Sequence, residues 1–386
     1  MRTEQQIFDE LATLCISPGY VHAIAYLCFR DNIVRFTNEI GPEHLQHLFS
    51  TSRLIRTEIS TLIGLLIKKE IDYRQPSADI TQTYLERTEA LLEEMHLAIV
   101  EPIYETLDQH KATRPSTAPF SQGAALREPI FYNGESAYNF QFRDFATKKY
   151  AADNQWLMNN KGFEINSARD VIRAIGLLQT EKLNGLSDTL RGAPPEEWTV
   201  LPVFSFSASE LSEKCGLDAA VVAKVLDAFT LPDTECNPNF CSLHDFNVVT
   251  ASPLIRREDR TYILFAQYSL SEALYDSPFY WMNSDKLYRD TALTNRGRFC
   301  EDFARERLES VFGKGNVYSN VDIYESKDKK TGEIDVLVLF GNRAIVVQTK
   351  SKRLTIEARR GSDRQIKDDF QKSVQDSYNQ GWKWPR

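Results

Sequence analysis

The residues whose types and spacing point most directly to chemistry lie near the end of this 386-residue chain. Asp335 follows Glu333-Ile334, and Gln348-x-Lys350 comes after a short break at Gly341-Asn342. A carboxylate such as Asp335 suits a hard divalent cation, because such ions prefer oxygen ligands. Gln348 can add a side-chain carbonyl oxygen. Lys350 can orient or polarise a water and offset negative charge. On a strand, side chains alternate between faces, so Glu333 and Asp335 share one face, as do Gln348 and Lys350. Two adjacent strands of a hairpin would therefore bring Asp335, Gln348 and Lys350 together. Glu301, on a helical stretch upstream, is the candidate for a second carboxylate.

Those side chains need a scaffold, and the surrounding pattern supplies one. A helix is expected from about Arg296 to Phe312, with Phe299, Cys300, Phe303, Leu308 and Val311 along one side and Glu301 at the edge of the stripe. From Asn316 to Ser326, Val317, Val321 and Ile323 share a parity, as in a strand. Gly332 to Phe340 reads as a second strand, and Gly341-Asn342 as a tight hairpin turn. Ala344 to Lys350 reads as a third, buried strand that ends in polar groups. A last helix follows, with Ile366, Phe370, Val374 and Ser377 at helical spacing.

This order of elements, with Asp335 and Gln348-x-Lys350 across a hairpin, resembles the PD-(D/E)xK nuclease superfamily, the restriction-endonuclease-like fold. Within it the pattern looks most like the Mrr-type, RecB-type and NERD (nuclease-related domain) branches. The resemblance covers roughly the last 90 residues. It implies phosphodiester hydrolysis with Mg²⁺, or Mn²⁺, held by Asp335, Gln348 and Glu301, and it implies Asp335, Gln348, Lys350 and Glu301 as the catalytic set. Such a reaction needs a divalent ion, an activated water and stabilisation of developing negative charge. The departure is Gln348, where many members carry Glu or Asp. A neutral amide binds Mg²⁺ more weakly, which raises the importance of Glu301.

The charge distribution agrees with a polyanionic substrate. The chain carries 46 basic and 54 acidic residues, a net of −8. From Thr291 to Arg386 there are 19 basic and 14 acidic residues, a net of +5, so the remainder carries −13. A basic segment on an acidic body points to that segment as the nucleic-acid contact. Lys352, Arg353, Arg359, Arg360, Arg364, Lys367 and Lys372 cluster after the motif, and the first four with Lys367 and Gln371 are the expected nucleic-acid contacts. Gln371, Gln375 and Tyr378 fall at i, i+4 and i+7, a loose match to the Gln/Tyr face of RecB-like nucleases. DNA is expected ahead of RNA, with a role in bacterial defence or DNA repair carried by the family likeness alone. The rival readings are a catalytically silent nuclease-like binding module and a DNA-binding regulator built on Ser207–Phe229.

The rest of the chain reads as mostly helical. The expected organisation is a helical domain at 1–109, a linker at 110–127, an aromatic-rich helical region at 128–190, an α+β region with a helix-turn-helix-like segment at 191–290, and an α/β nuclease-like domain at 291–386. Ile55 to Ile71 and a second stretch capped by Ser77 have helical spacing. His22, His44 and His47 read as ordinary surface or core histidines. In the middle region, Tyr132, Tyr138, Phe140, Phe142, Phe145, Tyr150 and Trp156 read as core rather than a base-stacking stripe. Ser207-x-x-Glu210 has capping-box spacing, and Gly216 falls between two short helices. The second of these offers only Lys224 among Asp218, Ala219, Ala220 and Asp227, too little for reading DNA. Cys236-x4-Cys241-x2-His244 lacks an evident fourth ligand and reads as a loop rather than a zinc site. No apolar run approaches the roughly 20 residues of a membrane span. The six cysteines and the absence of an apolar signal segment fit a reduced, cytoplasmic protein without a membrane partner. The helical regions are the expected place for a partner protein or a second copy.

Overall fold

A computed structural model covers the chain, and residues 2–33, 50, 53–112, 123–132, 137–232 and 237–382 are described. The chain divides into two compact units. The first comprises Met1–Ser121, Ala125–Thr147 and Asn154–Pro278, and the second Gln122–Ala124, Lys148–Asp153 and Phe279–Arg386.

The first unit is helical. Helix α1 (Glu4–Cys15) begins at a capping box, in which Thr3 accepts from the Gln6 amide and Gln6 returns a bond to the Thr3 amide. It packs with α2 (Tyr20–Asp31), α3 (Arg56–Leu66) and the long α4 (Ala78–Ala112) around Phe8, Leu11, Tyr20, Ile24, Leu62 and Met95, all buried. Ser77 caps α4 as expected, accepting from the Ile80 amide at 3.4 Å. Helix α4 runs to Ala112, so the helix continues past His110, where a linker composition begins. The middle aromatics divide: Phe142 and Tyr150 are buried, whereas Tyr138 and Phe140 stack on each other while largely exposed.

The helix-turn-helix-like segment consists of α5 (Ala208–Cys215) and α6 (Ala219–Ala228). Ser207 and Glu210 form the capping box, and Gly216 ends α5 at φ +67°, a left-handed conformation that favours glycine. Leu211, Val222, Val225 and Leu226 are buried. The exposed residues of α6 and its cap include Asp218, Lys224 and Asp227, a weakly acidic face. Three two-residue strands complete the unit: β1 (Ser205–Phe206), β2 (Ile255–Arg256) and β3 (Tyr262–Ile263), paired antiparallel in the order β1-β3-β2. Cys236 of the Cys/His cluster and the histidines at 44 and 47 lie outside the described residues. Among the described residues no three His, Cys, Asp or Glu side chains form a group that could hold a metal. No single helix among them is long and apolar enough to cross a membrane.

The second unit holds the α/β architecture. Helix α7 (Arg289–Phe312) is followed by the antiparallel meander β4 (Val317–Ser326), β5 (Lys329–Phe340) and β6 (Arg343–Val347). Val317, Val336 and Val338 are buried, and Ala304, Leu308, Phe312 and Val347 pack against them. Burial of each such valine contributes roughly 1.5–3 kcal/mol. Gly341 closes the β5–β6 hairpin at φ +61°. Three expectations need correcting. Helix α7 begins at Arg289 rather than near Arg296, and its sheet-facing stripe is 304–308–312, leaving Val311 73% exposed. Strand β6 stops at Val347 rather than at Lys350, because the Thr349 amide turns to the Asp335 carboxylate instead of a ladder partner. The last helix is not uniform: α8 (Asp363–Phe370) passes through a π-helical turn, Gln371–Gln375, into α9 (Asp376–Trp382). The wider turn breaks the spacing that would have buried Phe370 and Val374, and both are about half exposed.

Candidate functional site

Asp335 sits in the middle strand of the meander, one position before Val336, which pairs with Val347. The antiparallel register therefore sets Asp335 opposite Gln348 at the open end of the β5–β6 pair. By alternation Asp335 projects away from the face that buries Val336 and Val338 against α7. The Asp335 carboxylate is held on one oxygen only. Oδ2 accepts from the Thr349 amide at 2.7 Å and from the Thr349 hydroxyl at 3.1 Å, while Oδ1 has no hydrogen bond among the described residues. On the other side of the same strand, the β4–β5 ladder pairs Ser319 with Val336 and Val321 with Ile334 but omits the pair between them. The omitted residue opposite Asp335 is Asn320, whose φ of 51° places it in the left-handed region. Asn is among the few side chains that adopt it readily.

Gln348 is fixed at its amide nitrogen. Nε2 donates to the Glu333 carbonyl at 2.9 Å, so the amide carbonyl points the other way. That Oε1 is buried and has no donor among the described residues. A buried acceptor left bare costs about 1–3 kcal/mol, so the site carries a demand for a cation or a donor. Helix α9 comes against this strand end from one side. Gln380 Nε2 also donates to the Glu333 carbonyl, at 3.3 Å, and a Cβ on Gly381 would lie 3.7 Å from Val346 and 3.9 Å from Gln348.

Glu301 lies on α7 one turn before Ala304. Burial pushes its carboxyl up from the ordinary glutamate range, and the negative charges of Asp335 and Glu333 push it further. The helix thus brings Glu301 within electrostatic reach of Asp335. These acids do not close into a three-carboxylate cage. Asp335 Oδ1 and Gln348 Oε1, both without a donor among the described residues, are oxygen atoms of the kind a hard divalent cation accepts.

Lys350 is exposed and makes no ion pair or hydrogen bond among the described residues. Several of the other expected cations are engaged. Lys352 pairs with the buried Asp369 at 2.8 Å, Arg360 with Glu357 at 2.8 Å and Lys372 with Asp368 at 2.8 Å. Arg359 is half-buried, its Nε has no partner among the described residues, and burial and the nearby Arg353 hold its pKa below the usual arginine value. Arg364 and Lys367 are exposed, and no pairing partner binds them among the described residues. Gln371 bonds to Asp376 and Gln375 to Asn379, so these two glutamines bond within their own helical stretch. The glutamine that reaches the strand end is Gln380, which spacing did not single out. Thr349 was also passed over, although it lies inside Gln348-x-Lys350. A threonine beside a polar strand end was the one signal that could have pointed to it.

Comparison with known protein families places a nuclease-related domain at residues 296–383. The matched segment runs from α7 through the meander to α9, and so contains Glu301, Asp335, Gln348 and Lys350. No match was found among curated proteins or among solved structures.

Proposed function

We propose that the second unit is a metal-dependent nuclease that hydrolyses phosphodiester bonds, with DNA as its substrate. The observation that carries this reading is the strand end inside the nuclease-related segment, where Gln348 presents a buried, donor-free oxygen opposite Asp335, itself bare on Oδ1. Asp335, Gln348 and Glu301 would hold Mg²⁺ or Mn²⁺, which when bound supplies positive charge at the scissile phosphate and lowers the pKa of water. Thr349 fixes the rotamer of Asp335 by bonding Oδ2, which leaves Oδ1 directed to the site. The Glu333 carbonyl fixes the amide of Gln348 in the orientation that offers oxygen. Lys350, with no carboxylate to neutralise it among the described residues, provides the ammonium that orients water and offsets charge on the phosphate. Arg353, Arg359, Arg364 and Lys367 provide contacts to the phosphate backbone, which carry affinity and salt dependence rather than sequence choice. A role in defence or DNA repair is the biological context this activity fits.

The test is digestion of single- and double-stranded DNA and RNA with Mg²⁺, Mn²⁺ or EDTA. Wild type should cut DNA only with a divalent ion, and Asp335→Ala or Lys350→Ala should lower the rate by about 100-fold or more. Equal cutting by the variants would remove the catalytic assignment. Salt-dependent DNA binding without any cutting would instead establish a silent nuclease-like module.

A further inference from the structure

Resting on the nuclease reading, we propose that Asp369 is a positioning residue for Lys350. Strand β6 has ended before Lys350, so no ladder hydrogen bond fixes the backbone on which that side chain stands. The run from Thr349 to Thr355 is held instead through Thr349, Ser351, Lys352 and Thr355. Thr349 is bound through its amide and hydroxyl to Asp335. The Ser351 carbonyl accepts from Arg296 of α7, whose guanidinium also lies over the Phe279 ring. Lys352 and Thr355 are both bound to Asp369 of α8.

Asp369 is a buried carboxylate bonded on both oxygens. It is 1% exposed, and each oxygen takes two donors. Oδ2 accepts from the Thr355 amide at 2.7 Å and hydroxyl at 2.9 Å, and Oδ1 from Lys352 Nζ at 2.8 Å and Gln365 Nε2 at 3.3 Å. Thr355 in turn caps the short helix Ile356–Arg359 through the Ala358 amide. The arrangement binds the lysine two places after Lys350 and leaves Lys350 itself unbound. A chain tethered on both sides of one free ammonium fixes where that ammonium can reach. Only a carboxylate serves all four donors at once: an asparagine turns an N–H₂ group toward one donor pair.

Two measurements on the full chain decide this. The first is hydrogen exchange followed by peptide mass spectrometry, which needs no activity. Asp369→Asn should speed exchange in the peptide spanning 349–355 by about tenfold while peptides from α7 and β5 stay as in wild type. Unchanged exchange in 349–355, or an equal rise across the whole unit, overturns the proposal. Should Asp369→Asn fail to fold, Lys352→Met, which removes one donor and keeps Thr355, is read by the same criterion. The second is a double-mutant cycle on cleavage. Asp369→Asn should lower kcat by about tenfold with KM within about twofold, and should add nothing in a Lys350→Ala background. A further fall of similar size in that background means that Asp369 does not act through Lys350, and overturns the proposal. If wild type cuts nothing, the nuclease reading falls while the exchange measurement still judges the tether.

Discussion

A glutamine and a glutamate at position 348 would ask different things of the backbone around them. The glutamine donates from Nε2 to the Glu333 carbonyl and keeps a bare oxygen. A glutamate has no N–H to donate and would set a negative oxygen against that carbonyl. Gln348→Glu should therefore destabilise the metal-free protein by about 1–2 kcal/mol. The same change adds a full charge for a cation, so saturating Mg²⁺ should raise the melting temperature of the variant more than that of wild type. A thermal melt against Mg²⁺ concentration checks both halves. Glu301 gives the complementary case. Its carboxyl is pushed up by burial and by repulsion from Asp335 and Glu333, so ionised Glu301 costs stability without a cation. That cost is absent below the unfolded glutamate pKa, about 4.3, and grows as pH rises through the raised folded pKa. Glu301→Gln should stabilise the metal-free protein at pH 7 by less than about 1 kcal/mol, since the group is only partly buried. It should also cut metal affinity about 10- to 100-fold, read by the same Mg²⁺ titration.

At the scale of elements, the anchored run after β6 has a signature in acid. Burial alone would raise the Asp369 pKa, but hydrogen bonds from Lys352 and Thr355 outweigh it and hold the group well below the ordinary aspartate range. A depressed folded pKa gives stability that is complete above the unfolded value, about 3.9, and is lost as pH falls further. The unfolding midpoint of this unit should drop below about pH 4, and Asp369→Asn should flatten that part of a denaturation-against-pH curve. The elements themselves were largely legible in the sequence. The hairpin could be read from period-two apolar residues on either side of Gly341-Asn342, and α5 and α6 from a capping box and a turn glycine. The juxtaposition of Asp335 and Gln348 follows from the hairpin register, whereas the strand parity expected to carry Lys350 is lost because β6 ends at Val347. The exceptions have a common cause. Thr349, Gln380, Lys352 and Asp369 are defined by hydrogen bonds between residues distant in sequence, which leave no periodic trace. The π-helical turn at Gln371–Gln375 likewise shifts the phase of a stripe without changing its composition.

At the scale of the whole molecule, the basic segment identified by charge is not the whole of the second unit. That unit also takes in Lys148–Asp153 and Gln122–Ala124 from the middle of the chain. Asp153 is 2% exposed, and its Oδ1 accepts from the Tyr288 hydroxyl at 2.8 Å and the Asn295 amide at 2.7 Å. Asp153→Ala would leave both donors without their acceptor and should destabilise the unit by about 1–3 kcal/mol, measured by chemical denaturation. For the same reason a fragment starting at Thr291 should unfold more easily than the same residues in the full chain.

The way the second unit draws on three separated stretches also sets an order of events during synthesis. The residues around 123 and those from 148 to 153 leave the ribosome long before Tyr288, Asn295 and Asp363, to which they are bound in the finished protein. Until then Asp153 has no native donors and must stay in water. The second unit therefore cannot be completed while the chain is still growing through its middle, and the bare strand end at Gln348 forms only after β5 and β6 have both emerged.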